Sequence, residues 1–195
     1  KHACREPASD YQPAASPAAV ALTRATVVVG LSGSSCAGKS SLACKLKDKF
    51  IGENLLPLPK KSRRQKVERY LDSSGTLLLS FIEQDKYFLD PPGGWTPRTD
   101  GFHEQPNSIN FKGLTQDLEG EIGNEVSLVI IEGHLLFDEP SIVDHLTLMV
   151  WLEATKEMAG FRRIHKRGYK ESKTKKRQRF ENHVWPRHLE YRRRV

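Results

Sequence analysis

Short apolar runs alternate with amphipathic stretches along most of the chain. Four runs rich in Val, Ile and Leu have the length of buried strands, and they lie at residues 25–31, 76–83, 126–131 and 146–152. Three segments predict helices, at residues 41–50, 108–121 and 156–169. Ser108 is the expected N-cap of the second helix. Because strands alternate with helices, the pattern predicts an α/β domain with a short parallel sheet between layers of helices.

The remaining segments are polar. Residues 1–24 are rich in Ala and Pro, which predicts a disordered leader before a domain at 25–195. Residues 52–75 are basic and contain two prolines, so we expect an inserted surface loop with one helical turn near 67–71. Residues 91–106 are rich in Pro and Gly, the composition of a substrate loop or lid.

Composition excludes several classes of protein. The 195 residues suffice for one domain with a core, and no apolar run approaches the roughly 20 residues of a membrane span. The three cysteines form no CxxC pair, which argues against a disulfide framework or a zinc site and favours the cytoplasm. The basic run at 59–66 leaves nuclear import open, and the leader leaves organelle targeting open.

The net charge of +7 is unevenly distributed. Residues 156–195 hold 15 basic and 4 acidic residues, and residues 60–70 hold 6 and 1, so the rest of the chain is acidic. Two basic segments on an acidic body suit either nucleic acid or a polyphosphate. No nucleic-acid motif accompanies them and few aromatic residues lie between the charges, which disfavours nucleic acid.

One motif carries most of the chemistry. The pattern G-x-x-x-x-G-K-[ST] is matched at every fixed position by Gly33, Ser34, Ser35, Cys36, Ala37, Gly38, Lys39 and Ser40, with Ser41 following. The glycines allow backbone N–H groups to turn inward around phosphate oxygens. Lys39 would approach the β- and γ-phosphates, and the Ser40 hydroxyl would bind Mg²⁺. Since a hydrophobic strand precedes the motif and a helix follows it, we expect an ATP- and Mg²⁺-binding loop.

Two acidic residues follow predicted strands. Glu132 ends the run VIIE, and the carboxyl end of a parallel strand faces the ligand crevice, so we expect Glu132 to hold Mg²⁺. Asp85 follows the second strand, where a carboxylate can orient an acceptor hydroxyl. Strand alternation favours Asp85 over Glu83 for this role. On spacing alone, a surface turn is an equally good interpretation of Asp85.

Together these segments resemble the nicotinamide riboside kinase family, whose relatives are the uridine–cytidine kinases. The resemblance is carried by the GxxxxGKS loop, QDKYF, IIEGHLLFD and RGY…HVWPRHLEYRRR, and it runs from about residue 26 to 194 apart from the basic insert. It implies a three-layer P-loop fold with a basic lid at 156–179. The implied activity is transfer of the γ-phosphate of ATP to the 5′-hydroxyl of a nucleoside, as in NAD biosynthesis.

The resemblance also implies roles for single residues. By position, Asp85 corresponds to the catalytic aspartate and Glu132 to the Mg²⁺-associated glutamate. Arg163 and Arg167 correspond to lid arginines, whose planar forks suit phosphate oxygens. Tyr169 corresponds to the aromatic residue that stacks on the nicotinamide ring.

The chain departs from the family pattern at Lys86, in the charged run 170–179, in the substrate loop and at its end. The family has an aromatic residue followed by Asp in the substrate loop, and here His103 and Glu104 occupy those positions. Glu104 can still accept hydrogen bonds from ribose hydroxyls, and His103 is also a flat ring. The family continues with a further strand and helix, so the resemblance implies that this sequence stops short at Val195.

Four interpretations follow from the sequence. The first is a nicotinamide riboside kinase, and the second is a uridine or cytidine kinase. The third is a protein that binds ATP without catalysis, and the fourth is a nucleic-acid-binding module. The HVWP segment, residues 183–186, is expected to be a packing element with Trp185 buried. The oligomeric state is not predicted.

Overall fold

A computed structural model describes residues 25–51, 55–59, 66–89, 104–165 and 171–195. The strands in these ranges are β1 (Val27–Gly33), β2 (Leu56–Pro57), β3 (Val67–Leu71), β4 (Leu77–Glu83), β5 (Leu128–Glu132) and β6 (Leu148–Leu152). The α-helices are α1 (Lys39–Ile51), α2 (Phe111–Gly123), α3 (Pro140–Val143), α4 (Lys156–His165), α5 (Lys173–Arg179) and α6 (Trp185–Arg194). No helix in the described ranges is apolar over a length that could cross a bilayer.

The six strands form one mixed sheet in the order β2-β3-β4-β5-β1-β6. Strands β4, β5, β1 and β6 are parallel, whereas β2 and β3 are added antiparallel at one side. The register pairs Leu31 and Glu83 with Glu132 from either side. The carboxyl ends of three parallel strands therefore meet at one edge, where ligands bind in sheets of this kind.

The core lies on both faces of the sheet because side chains alternate along each strand. One face carries Val28, Ile82 and Ile131, which pack with Leu114 and Leu118 of α2. The other face carries Leu31, Leu79, Phe81 and Ile130, which pack with Ala43 of α1. The predicted α/β class and the four parallel strands are confirmed, and helices cover the sheet on both sides.

The prediction for the basic insert is wrong in its second half. Residues 67–71 form strand β3 rather than a loop with a helical turn, and Val67 is buried against β4. The turn between β3 and β4 is closed by Asp72, whose Oδ1 accepts from the backbone N–H groups of Ser74 (2.8 Å) and Thr76 (2.9 Å). Gly75 lies in this turn at φ +84°. The charged composition of the segment suggested a loop, although the turn sequence D-S-S-G at residues 72–75 is typical of a hairpin.

The N-cap prediction for α2 is also wrong. The helix begins at Phe111, and Asn110 caps it by accepting from the Gly113 N–H at 2.9 Å. Ser108 instead ends a short 3₁₀ turn, where its hydroxyl donates to the carbonyl of Gln105 at 2.6 Å. Pro106 starts that turn, and proline favours the first position of a helical turn.

The tail from α5 to α6 passes through a π-helical turn at Phe180–Val184. Pro186 follows this turn and cannot donate a backbone hydrogen bond, which is a common reason for a break in helical register. Phe180 and Val184 are buried against Ala159, and Trp185 packs beside them while only partly buried. HVWP thus packs as expected, but the expectation that Trp185 is buried is wrong, and Val184 is the buried residue of the segment.

Candidate functional site

The loop between β1 and α1 has the backbone conformation that its glycines were expected to allow. Gly33 and Gly38 have φ values of +134° and +106°, and Cys36 lies in the left-handed region at +64°. A Cβ at position 33 would collide with the backbone carbonyl of Leu152, whereas one at 38 would meet only open space. Gly33 is therefore required by packing against β6, and Gly38 by its backbone angle.

Lys39 is folded back over this loop. Its ammonium group donates to the carbonyls of Gly33 (3.1 Å) and Ser34 (2.9 Å), and the residue is only 8% exposed. Burial lowers the pKa of Lys39, while the carboxylates of Glu132 and Asp85 act in the opposite direction. An ammonium has three N–H donors, so one donor remains for an anion at the loop.

Ser40 and Glu132 are joined across the edge of the sheet. The Ser40 hydroxyl donates to Oε1 of Glu132 at 2.7 Å, and Glu132 is 6% exposed. Burial raises the pKa of Glu132, and the Ser40 hydrogen bond and the nearby Lys39 oppose that shift. A hydroxyl and a carboxylate placed side by side form the oxygen-rich corner that Mg²⁺ prefers.

Asp85 lies beside this group as the exposed residue of a 3₁₀ turn, Gln84–Tyr87, directly after β4. Its charge acts on both Lys39 and Glu132, so the three groups share one electrostatic environment. Glu83, the alternative base, ion-pairs with Lys86 at 2.9 Å. The geometry favours Asp85 as the available carboxylate.

Gln84 anchors this turn through a buried side chain, and the sequence alone did not predict that role. It is fully buried, and its Oε1 accepts from the Leu135 N–H at 3.1 Å. A side chain at Gly133 would collide with it, which explains the glycine after Glu132. Gln84 therefore ties the turn that carries Asp85 to the loop that follows Glu132.

Helix α4 reaches the loop with two adjacent arginines. Arg163 Nη1 donates to the Ser35 hydroxyl at 2.5 Å. Arg162 Nη1 donates to the carbonyl of Cys36 at 3.2 Å. Arg162 was not predicted, because a basic run offers no sequence signal that separates one arginine from its neighbour.

Glu104 lines a crevice with Gly33, Ser34 and Ser35 of the same loop. Its carboxylate is 3.5 Å from Arg163 Nη2 and 3.6 Å from His134 Nε2. The His134 ring in turn lies 5.9 Å from that of Phe88. The structure thus places His134 at the site.

A small crevice opens between the loop and α6, enclosing about 10 Å³, roughly the room that one water molecule needs. Its lining includes Ser34, Glu104, His134, Arg187 and His188. The Ser34 hydroxyl is buried and has no hydrogen-bond partner within the described part of the chain. Burial lowers the pKa of His188, so its ring favours the neutral form. Trp185 is not among the residues that line this crevice.

The structure thus brings six of the predicted site residues together at the phosphate loop: Lys39, Ser40, Asp85, Glu104, Glu132 and Arg163. His103, Arg167 and Tyr169 lie outside the described residues, so their predicted roles stay predictions. Within the described ranges, no three His, Cys, Asp or Glu side chains converge as a metal site of their own.

No protein-family model and no curated protein sequence matches the chain. Among solved structures, a protein from Silicibacter sp. TM1040 named "putative fructose transport system kinase" matches with a TM-score of 0.54 and 17% identity, over 87% of this chain and 85% of that one. TT1252 from Thermus thermophilus matches over the same shares with a TM-score of 0.39 and 15% identity. The first likeness shows that the chain shares its α/β fold with the Silicibacter protein.

Proposed function

We propose that the chain is a P-loop kinase that transfers the γ-phosphate of ATP to a hydroxyl group of a small molecule. The observation that carries the proposal is the union of three features at one sheet edge. These are the glycine loop, the buried Lys39 within it, and the Ser40–Glu132 pair beside it. The Silicibacter protein is named a kinase, and its shared fold is compatible with this class.

The residues fit a Mg²⁺–nucleotide complex. Ser40 and Glu132 supply two oxygens, and Lys39 retains one N–H for the phosphates. The buried Ser34 hydroxyl, which has no partner among the residues that the structure describes, gives the loop one more group able to contact a ligand. Magnesium, when bound, would neutralise charge on the phosphate oxygens.

The chain's own residues then have separable tasks. Lys39 and Arg163 would stabilise negative charge as the phosphoryl group moves, because both already touch the loop. Asp85, exposed at the same edge, would accept or orient the proton of the attacking hydroxyl. Catalysis of this type depends mainly on positioning and electrostatics.

Nicotinamide riboside is the acceptor we propose first. Glu104 lines the crevice at the phosphate loop and lies 3.5 Å from Arg163, and its carboxylate can accept hydrogen bonds from ribose hydroxyls. The tail motifs resemble those of the nicotinamide riboside kinases more closely than those of the uridine–cytidine kinases. Uridine and cytidine remain the alternative acceptors, because His103 and Glu104 depart from the family pattern.

The test is ADP release from Mg-ATP with nicotinamide riboside, nicotinic acid riboside, uridine and cytidine in separate reactions. Release with the pyridine ribosides alone is expected. Release with uridine or cytidine instead would move the substrate to the pyrimidine nucleosides. No release in a folded chain that still binds Mg-ATP would favour the non-catalytic ATP-binding alternative, and loss of ATP binding as well would overturn the kinase proposal.

A nucleic-acid interface receives less support from the described tail. Several of its cations face carboxylates: Arg179 pairs with Glu171 at 2.9 Å, and Arg192 with Glu153 at 2.8 Å. Arg194 also pairs with Asp138 at 2.7 Å. Cations already paired in this way would have to exchange partners before contacting phosphates of a nucleic acid.

A further inference from the structure

The carboxylate of Glu104 is shared between two basic side chains. Oε1 is 3.5 Å from Arg163 Nη2, and Oε2 is 3.6 Å from His134 Nε2. All three side chains are mostly buried, with exposed fractions of 11% for Glu104, 17% for Arg163 and 14% for His134. The two oxygens of one carboxylate therefore face two different parts of the site.

Arg163 contacts the phosphate loop with its other terminal nitrogen, since Nη1 donates to the Ser35 hydroxyl at 2.5 Å. One guanidinium thus spans the loop and Glu104. Its contact with the loop is short, whereas the distance to Glu104 exceeds the roughly 2.7–2.9 Å of a strong charge-assisted hydrogen bond. The weaker side of this bridge is the one toward the acceptor carboxylate.

A phosphate group at the loop would offer Arg163 a better partner. A guanidinium binds phosphate oxygens through two parallel N–H groups, which the present contact with Glu104 does not allow. Taking up that geometry would draw Nη2 away from Oε1. The contact between His134 and Oε2 would still hold the carboxylate in place.

We propose that Glu104 and the bound phosphate donor compete for Arg163, so that donor binding releases Glu104 to receive the acceptor's hydroxyl groups. The proposal rests on the kinase function proposed above. It makes Arg163 a shared residue of two subsites and His134 the positioning residue of Glu104. Because coupling between two binding sites is reciprocal, donor and acceptor would strengthen each other's binding.

Electrostatic repulsion alone would also make the chain bind nucleotide more tightly when Glu104 is removed. Glu104 is negatively charged and lies near the loop, so its removal would also relieve plain repulsion of the phosphates. The two explanations differ in their dependence on Arg163. Competition requires the guanidinium, whereas repulsion does not.

The experiment is a double-mutant cycle on nucleotide affinity. The dissociation constant of the Mg²⁺ complex of adenylyl imidodiphosphate is measured by calorimetry for the parent chain, Glu104→Gln, Arg163→Gln and the double variant. Circular dichroism confirms that each is folded. We expect Glu104→Gln to bind about two- to fivefold more tightly than the parent, the range of a partly exposed ion pair, and to show no gain in the Arg163→Gln background.

The other outcomes distinguish failure of the competition from failure of the proposed kinase function. Equal affinity of the parent and Glu104→Gln would overturn the competition, and so would a gain that persists in the Arg163→Gln background. A folded parent that binds no nucleotide would instead overturn the proposed kinase function, and the competition with it.

Discussion

Two buried glutamates lie in different regions of the molecule and have different surroundings. Glu121 of α2 is 1% exposed, receives Arg69 Nε at 3.0 and 3.1 Å together with an ion pair to Arg69 Nη2, and accepts from the Ser80 hydroxyl at 2.5 Å. Glu132 at the site accepts one hydrogen bond within the described residues, from Ser40. The neighbours of Glu121 satisfy its carboxylate with hydrogen bonds and an ion pair, whereas the carboxylate of Glu132 retains lone pairs for a ligand.

The same contrast extends to the neighbouring polar groups. Arg69, Glu121 and Ser80 join β3, α2 and β4 in a network that involves no candidate site residue. Around the loop, among the described residues, Ser34 has a buried hydroxyl without a partner, and Lys39 donates to backbone carbonyls. Incomplete satisfaction of buried groups is costly in a folded chain, and a binding site is where that cost has a use.

Lys39→Ala should produce the largest effect on the site. Loss of a cation that stabilises transferred charge is expected to lower kcat/KM by about a thousandfold and to weaken nucleotide binding. Steady-state kinetics and calorimetry would measure both. Lys45→Ala, an exposed lysine on the same helix, is the control and should change neither. Unchanged kinetics in the Lys39 variant would remove the loop from the mechanism.

Asp85→Ala should have the second-largest effect on activity. Without the carboxylate that orients the acceptor hydroxyl, turnover is expected to fall about a hundredfold or more while ATP affinity stays nearly intact. Asp48→Ala, on the exposed face of α1, serves as the matched carboxylate control. A turnover equal to that of the parent would leave Asp85 as a surface turn residue, the alternative that its spacing also allows.

Much of the site was predictable because its chemistry depends on local order in the chain. The glycine loop, Lys39 and Ser40 occupy fixed spacings, and Glu132 ends an unmistakable apolar strand. The contacts of Arg162, His134 and Gln84 were not predictable, since each depends on which elements pack together. A basic run, a loop histidine and a turn glutamine look alike wherever they occur.

In the fold, too, the features set by local sequence were predictable and those set by tertiary contacts were not. The four parallel strands were read from β-branched runs, whereas β3 was missed because Glu68 and Arg69 made it look like solvent-exposed loop. Arg69 is neutralised by Glu121, which lies 52 positions later in the chain. Local composition cannot reveal a charge pair that tertiary structure alone brings together.

Glu121→Gln should weaken the fold rather than the site. An amide cannot replace the charge that Arg69 and Ser80 surround, so the free energy of unfolding is expected to fall by about 2 kcal/mol, below the cost of breaking a fully buried pair because Arg69 is 29% exposed. Urea unfolding measures this, with Glu119→Gln on the same helix as a control with a half-exposed carboxylate. Nucleotide affinity should be unchanged, and a loss of affinity without a loss of stability would contradict the structural role.

Glu132→Gln should have the smallest effect on stability, and of opposite sign. Burial raises the pKa of Glu132 above its ordinary value of 4.5, so the folded chain binds the proton more tightly than the unfolded chain does. At neutral pH the folded state therefore carries the cost of a buried charge, which glutamine removes. We expect the free energy of unfolding to rise, by less than the roughly 2 kcal/mol that Glu121→Gln is expected to remove.

That gain should depend on pH in a definite direction. It should shrink as the pH falls through the raised pKa and vanish below 4.5, where the carboxyl is protonated in both states. Urea unfolding at neutral pH and below pH 4.5 would test this, and Mg²⁺-dependent turnover should fall in the same variant. If Glu132→Gln destabilised the chain at neutral pH as Glu121→Gln does, Glu132 would be a structural carboxylate, and the difference between the two regions would be one of position only.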